Sequence, residues 1–332
     1  MKRILLMIST DSNMFDTDSA VRRRQLRVAE SWDELHVVVF SCERKPAERA
    51  GGNVWIYSTG SVSRWLFVFS AIRLARSLFK NRKITNVTCQ DPFLTSFVGV
   101  YLRKRFGVRL EIQIHTDIAN PNYTYCFGNV VRKYLARHHL PWADSIRVVY
   151  FKTRDFLISD WHLSPNIIHV RPVIVDIDRI RFFHPTVDLK KKYPQFSRIV
   201  LMASRFEPEK NFELALKAWK LVTLKINNAG LIIVGRGSQF GKIVRLRSRL
   251  RLDKSVIIED WADSNTLISY LKTTDLFLLT SLYEGYSMIL SEASVAGCSV
   301  VSTDVGGAAE SGAHLISYSV DNVSNTIISL FQ

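Results

Sequence analysis

Cysteine is scarce: four residues in 332, Cys42, Cys89, Cys126 and Cys298, with no CxxC pair and no histidine at zinc-finger spacing. That argues against a disulfide framework and a structural zinc site, and is expected of reduced, mostly buried thiols in a cytoplasmic protein. Long hydrophobic runs are also missing. Although 47% of residues are hydrophobic, charges break every run short of the ~18 apolar positions a membrane span needs. The opening MKRILLMISTDSN pairs two basic residues with a short apolar run, but Asp11 follows at once. A first buried parallel strand suits it better than a secretory signal. Acidic residues fall short only in the first half. Residues 1–195 hold 31 Lys and Arg against 17 Asp and Glu, a net of +14, and residues 196–332 hold 14 against 13, a net of +1. Such a half is drawn to phosphates, anionic lipid headgroups or nucleic acid, and modules that read nucleic acid are not apparent.

What is present is alternation. Expected strands at 3–9, 35–41, 54–57, 84–90, 108–115, 146–150 and 167–170 are separated by expected helices at 19–31, 65–80, 94–105, 130–139 and 153–160. Periodicity lapses between Arg171 and Pro194, where prolines and a Lys190-Lys191-Lys192 run occur, and then resumes as a second series from 198. Strands alternating with helices predict α/β architecture with doubly wound parallel sheets. The expected division is 1–172, a first domain; 173–196, a linker; and 197–332, a second domain, the two domains facing each other.

Chemistry collects at four strand ends of the second series, where ligands of such sheets lie. After strand 198–203 come Arg205 and Lys210, able to converge on a diphosphate as a planar fork and a point charge; the alternative is a solvated loop of ion pairs among Glu207, Glu209 and Lys210. After 230–234, Gly235 and Gly237 either admit a ligand to the backbone or turn the chain. After 255–258, Trp261 either stacks on a nucleobase or packs on its own domain. After Leu276–Leu279 comes Tyr283-Glu284-Gly285-Tyr286-Ser287, then a helix from Met288 that contains Glu292. Its start, with Gly285, Tyr286, Ser287 and Met288, is a seat for phosphate. Glu292 lies on a helix with little polar face and needs partners, which ribose hydroxyls would supply. Gly306-Gly307 offers a further close approach.

Together these loops resemble the retaining GT-B glycosyltransferases of the glycosyltransferase 4 group. The resemblance is carried by Glu284-x7-Glu292 within EGYSMILSEASVAG, Ser204-Arg205 with Lys210, Val234-Gly235-Arg236-Gly237, and Thr303-Asp304-Val305-Gly306-Gly307 with Glu310. It is continuous over about 198–318. In the first half it rests on Gln90-Asp91-Pro92 and Ile114-His115-Thr116-Asp117. It implies that Arg205 and Lys210 hold the diphosphate, Glu292 the ribose and Glu284 the transferred sugar, with His115 near the reacting sugar. It further implies front-side displacement with retention, the departing diphosphate taking the acceptor proton, so that the protein positions and neutralises without a dedicated base.

The implied donor is a UDP-, GDP- or other nucleoside diphosphate sugar, and the implied acceptor a glycan or a lipid-linked molecule. No cofactor or metal is expected. Asp16-Thr17-Asp18 and Asp176-Ile177-Asp178 spell DxD, but neither follows a strand of a nucleotide-binding half. Departures from the family are a first loop, Ser9–Asp16, without glycine, a linker without its usual glycine, and an end at Gln332 where closing helices are expected to follow. Basic stretches Arg73–Lys83, Leu102–Arg109 and Val131–His139 are interleaved with apolar residues and suggest peripheral docking on the inner face of an anionic membrane. The rival readings are a nucleotide-sugar epimerase or phosphorylase, and a catalytically silent nucleotide-sugar-binding scaffold or partner subunit.

Overall fold

The structure, a computed structural model, describes residues 2–17, 19–172 and 175–332; Asp18 of the first DxD lies outside them. Residues divide into two compact units, 1–172 and 173–332.

In the first unit β1 (Ile4–Ser9) is buried along its whole length, as a parallel strand covered on both faces must be. Ser19 accepts from the Arg22 amide at 3.0 Å and starts α1 (Ala20–Ala29), which leads to β2 (Glu34–Val39). Then follow β3 (Glu48–Gly51), β4 (Val54–Ser58), α2 (Phe67–Asn81), β5 (Asn86–Cys89), α3 (Leu94–Phe106), β6 (Arg109–Ile114), α4 (Phe127–His139), β7 (Ser145–Val148), α5 (Phe151–Ser159) and β8 (Ile168–Val170). The sheet order is β3-β4-β2-β1-β5-β6-β7-β8, parallel except for β3 against β4. β3 has no apolar alternation to reveal it. It is an irregular edge strand held by pairing and by Glu48, which meets the buried Arg22 at 2.6 Å.

The second unit begins with α6 (Ile177–Phe182) and α7 (Leu189–Lys192). It continues with β9 (Arg198–Ala203), α8 (Phe212–Val222), β10 (Ala229–Val234), α9 (Phe240–Arg249), β11 (Val256–Glu259), α10 (Ser264–Thr273), β12 (Leu276–Leu279), α11 (Met288–Ala296), β13 (Ser299–Thr303), β14 (His314–Ile316) and α12 (Val320–Phe331). Its sheet is wholly parallel in the order β11-β10-β9-β12-β13-β14. Winding reverses between β9 and β12, so the crevice of this sheet lies beyond their carboxyl ends. Fully buried Trp219 of α8 sits in a core that Val323 and Ile327 of α12 complete.

Two expectations change. The segment expected as a linker, apart from Val173 and Ile174, which lie outside the described residues, is a strap on the second unit. Asp176 and Asp188 cap its two helices, accepting from Arg179 N at 3.1 Å and Lys190 N at 2.8 Å. Lys192 reaches Glu259 at 2.7 Å and Tyr270 at 2.6 Å, Arg179 reaches Asn265 at 2.8 Å, and Lys272 donates back to the Arg181 and Phe183 carbonyls. Polar side chains make these contacts, so hydrophobic periodicity could not show them. The cysteines are free thiols, but only Cys89 is buried; Cys42 is exposed, and Cys126 and Cys298 are intermediate.

Candidate functional site

At the switch point of the second unit the loop after β9 and the loop after β12 are stitched together. Leu282 N donates to the Glu209 carbonyl at 2.7 Å, and Thr280 Oγ1 donates to the Lys210 and Asn211 carbonyls, each at 3.1 Å. Asn211 takes a left-handed conformation, φ 50°, between the Lys210 turn and α8. This backbone brings the Lys210 ammonium to Glu284 Oε1 at 2.5 Å, with the two side chains 11% and 13% exposed. Ser281 Oγ donates to the same oxygen at 2.7 Å. Glu284 Oε2 has no protein partner among the described residues. The cation and the carboxylate therefore hold each other, and a ligand entering here finds one free carboxylate oxygen beside a pre-positioned ammonium.

The ion pairs of the first loop are Arg205 with Glu209, at 3.6 Å, and Lys210 with Glu284; Glu207 instead accepts from Ser238 Oγ at 2.7 Å. Arg205 keeps 67% of its side chain in solvent, so its exposed pair contributes little and the guanidinium is free to swing. Gly235 and Gly237 make room for this same loop. At φ 154° and 153°, a Cβ would stand 2.0 Å from the Ser204 carbonyl oxygen at 235 and 2.5 Å from that of Phe206 at 237. Phe206, fully buried, donates its amide to the Arg236 carbonyl at 2.7 Å and accepts from Gln239 N at 2.8 Å. The glycines thus serve loop packing, and beside them opens a hollow of about 430 Å³ lined by Arg236, Phe240 and Asp260.

Trp261 is 57% exposed, so its ring is available rather than packed on its domain. Beneath it Asp260 pairs with Arg236 and accepts from the Trp261 amide at 2.7 Å, and Asp263 caps α10. At the start of α11 no side chain caps the helix; Met288 N donates to the Tyr286 carbonyl at 3.0 Å and Leu290 N to the Ser287 carbonyl at 3.1 Å, which leaves the Ile289 amide for an anion. Ser287 is buried and its amide is spent on the Gly306 carbonyl at 2.9 Å, while Tyr286 bonds Ser291 at 3.1 Å. Gly306, at φ 51°, lies where a Cβ would come within 2.5 Å of Glu284 Cβ, so its glycine lets the β13 loop close on Glu284. Glu292, half-buried on α11, makes no hydrogen bond among the described residues. Burial raises its carboxyl above the usual range, with Arg179 opposing. Asp176 of the second DxD is a helix cap.

In the first unit Glu111, Gln113 and His115 alternate along β6 and just past its end. His115 Nε2 donates to Gln113 Oε1 at 3.0 Å, and the Gln113 amide donates to Thr88 and Glu111, each at 3.0 Å. The Gln113 bonds assign the His115 proton to Nε2 and leave Nδ1 as an acceptor. Part of the His115 ring faces solvent. Desolvation by surrounding protein, then Arg147 and Arg24, hold the imidazole near 4, and the neutral form follows from the sign alone. Gln90 accepts from Ser9 at 2.7 Å, and Asp91 accepts from the Phe93 amide at 2.7 Å, so both shape backbone. The glycine-free first loop closes on its own side chains, Asp11 accepting from Asn13 N at 3.0 Å over buried Met14. Sequence reasoning missed Ser281, Thr280, Gln113 and Arg147. The alternation Glu111-Ile112-Gln113-Ile114-His115 was the available signal for the last strand face.

Two parallel α/β units with polar strand-end loops are the architecture of GT-B glycosyltransferases, and solved structures agree. An Anabaena protein, HepE, in complex with UDP and glucose superposes with a TM-score of 0.74 at 16% identity, over 99% of this chain and 90% of that one. Residues 188–330 match the model of Glycosyl transferases group 1, and residues 23–179 that of Glycosyltransferase Family 4. The chain belongs to this glycosyltransferase family. Among curated relatives, the N-acetylgalactosamine-N,N'-diacetylbacillosaminyl-diphospho-undecaprenol 4-alpha-N-acetylgalactosaminyltransferase of Campylobacter jejuni is 24% identical over 61% of this chain and 53% of its own length. The N-acetyl-alpha-D-glucosaminyl L-malate synthase of Bacillus anthracis is 28% identical over 64% and 55%. The chain thus spans about half the length of the curated relatives it matches.

Proposed function

We propose that the protein transfers a sugar, with retention, from a nucleoside diphosphate sugar to a glycan or lipid-linked acceptor. The observation that carries this reading is the Lys210–Glu284 pair at the switch point of the second sheet. The uncapped start of α11, at Gly285 to Met288, and the mobile Arg205 head complete a phosphate seat around Lys210. Glu292 takes ribose hydroxyls, Trp261 the base, and Glu284 Oε2 a hydroxyl of the transferred sugar. As the sugar–phosphate bond lengthens, charge grows on the leaving diphosphate, and Lys210, Arg205 and the helix start are already placed to meet it. That neutralisation comes from side chains and backbone, so the reading invokes no metal. Neutral His115 contributes a hydrogen bond to the sugar through a ring nitrogen rather than a proton-accepting base.

The first unit supplies the acceptor side and, in this reading, contact with an anionic bilayer. α3 packs between α2 and α4. The starts of α2 and α4 expose Trp65 (91%), Phe69 (71%) and Phe127 (82%), and the middle of α4 exposes Tyr134 (63%). The C-terminal turns are basic, with Lys80 on α2, Arg103, Lys104 and Arg105 on α3, and Arg137 on α4. Apolar tips backed by cations match a bilayer interface. No helix among the described residues is long and apolar enough to cross a membrane. The relative from Campylobacter is named for a diphospho-undecaprenol substrate.

A melting-temperature screen of UDP, GDP and ADP sugars tests donor binding, because a ligand bound to the folded state raises the midpoint by mass action. One nucleotide series is expected to raise it in the wild type and to lose that effect in Lys210→Ala. Release of nucleoside diphosphate in the presence of acceptor tests transfer. Binding without release over a lipid-linked acceptor panel would favour the silent scaffold.

A further inference from the structure

We infer that Arg147 and Arg171 of the first unit form a seat for a phosphate or diphosphate group of the acceptor, on the sheet face that carries His115. This deepens the proposed function by giving the acceptor's chemistry. The placement follows from register. Gln113 of β6 pairs with Arg147 of β7, and Arg147 pairs with His169 of β8. Strands alternate with a period of two, so Arg147 stands on the face of Glu111, Gln113 and His115. Arg171 extends that ladder, its amide donating to the Val148 carbonyl at 2.8 Å, and shares the face with His169.

Among the described residues neither arginine side chain makes an ion pair or a hydrogen bond. The acid on the same strand face, Glu111, spends Oε1 on Thr88 Oγ1 at 2.9 Å and on Gln113 Nε2 at 3.0 Å. Arg147 Nε is sealed from solvent and has no acceptor. A guanidinium nitrogen so placed loses its hydration without recovering a partner, which costs free energy, while the rest of the half-buried head stays open to a ligand. Burial first, then the charges of Arg171 and Arg24, lower the Arg147 guanidinium, and only Glu111 opposes. A single carboxylate would not balance two cations. A phosphate or diphosphate carries two or more charges and offers the oxygen edge that a guanidinium fork grips with two hydrogen bonds. His115, past the end of β6, then faces the sugar attached to that phosphate.

The test is titration calorimetry of inorganic pyrophosphate into the full-length protein, wild type and Arg147→Gln/Arg171→Gln, in a Lys210→Ala background that disables the donor seat. Pyrophosphate is expected to bind with Arg147 and Arg171 intact and to bind at least about tenfold more weakly in the double variant. Arg147→Lys/Arg171→Lys is expected to recover part of the loss, and Lys254→Gln, an exposed charge change in the other unit, to leave binding unchanged. Equal binding in wild type and double variant, or equal weakening by Lys254→Gln, overturns the proposal. Two further arms identify the source of the phosphate. Sedimentation with neutral vesicles containing a polyprenyl diphosphate, if arginine-dependent, identifies a lipid-linked acceptor. Arginine-dependent binding of a soluble sugar 1-phosphate identifies a free one. Failure of both overturns the acceptor assignment, whereas loss of transfer with pyrophosphate binding retained would count against the proposed function alone.

Discussion

Lys210 and Glu284 were expected to do separate work, one at a diphosphate and one at a sugar, yet each is the other's partner. Removing either leaves an enclosed charge exposed to little water. Lys210→Ala is therefore expected to lower stability by about 2–3 kcal/mol and the rate of nucleoside diphosphate release by at least about a hundredfold. Glu284→Gln, which keeps the Ser281 bond, should lose turnover with a smaller fall in melting temperature. Thermal melts and steady-state assays of both variants separate the two effects. Glu292 gives a pH signature. Its carboxyl is raised in the folded chain by burial, so its stability contribution is complete below the ordinary value of 4.5 and is lost as pH rises through the raised value. Melting of the free protein should fall over that window, and Glu292→Gln should flatten the fall. His115, held near 4, should put no ionisation into a pH–rate profile between about pH 5.5 and 8. An inflection there that vanishes in His115→Asn would refute the neutral-imidazole role.

At the scale of elements, what could be read in advance was what hydrophobic period encodes. β9, β12 and α11 are buried parallel strands and a helix written as apolar runs ending in polar loops, and their alternation reveals the sheet. The edge strands β3 and β14 and the strap helices α6 and α7 stayed hidden, because they are short and hold on by pairing, caps, lysine bridges and single buried residues such as Ile180 and Leu189 rather than by a periodic apolar face. The glycine motif Gly235-Arg236-Gly237 was visible, but its job was not. A sequence shows that glycine is required without saying whether a ligand or another loop fills the space. Gly237→Ala forces a Cβ against the Phe206 backbone at a positive φ, and it should cost roughly 2–4 kcal/mol. The loss should appear in melting curves of nucleotide-free protein, since the clash is with Phe206 and not with a donor. If the free protein melts normally and only donor binding suffers, the loop-packing account is wrong.

Across the whole molecule the net of +14 in residues 1–195 lies with exposed aromatic turns, so binding to vesicles containing anionic lipid should be strong at low salt and weaken as ionic strength rises. Trp65→Ser/Phe69→Ser should reduce the bound fraction severalfold without moving the melting temperature, since both side chains lie in solvent. Binding unchanged by the pair would remove that edge from any membrane role. The strap bears on how such proteins can be recombined. Lys192, Arg179 and Lys272 bind residues 175–196 to β11 and α10, so the second unit travels as a cassette that begins near Val175. A chimera joined at Arg198 would discard both the ammonium and the Tyr193 hydroxyl that meet Glu259 and leave that acid with Tyr270 alone. One joined at Val175 would carry the second unit, its strap complete, onto a foreign first unit.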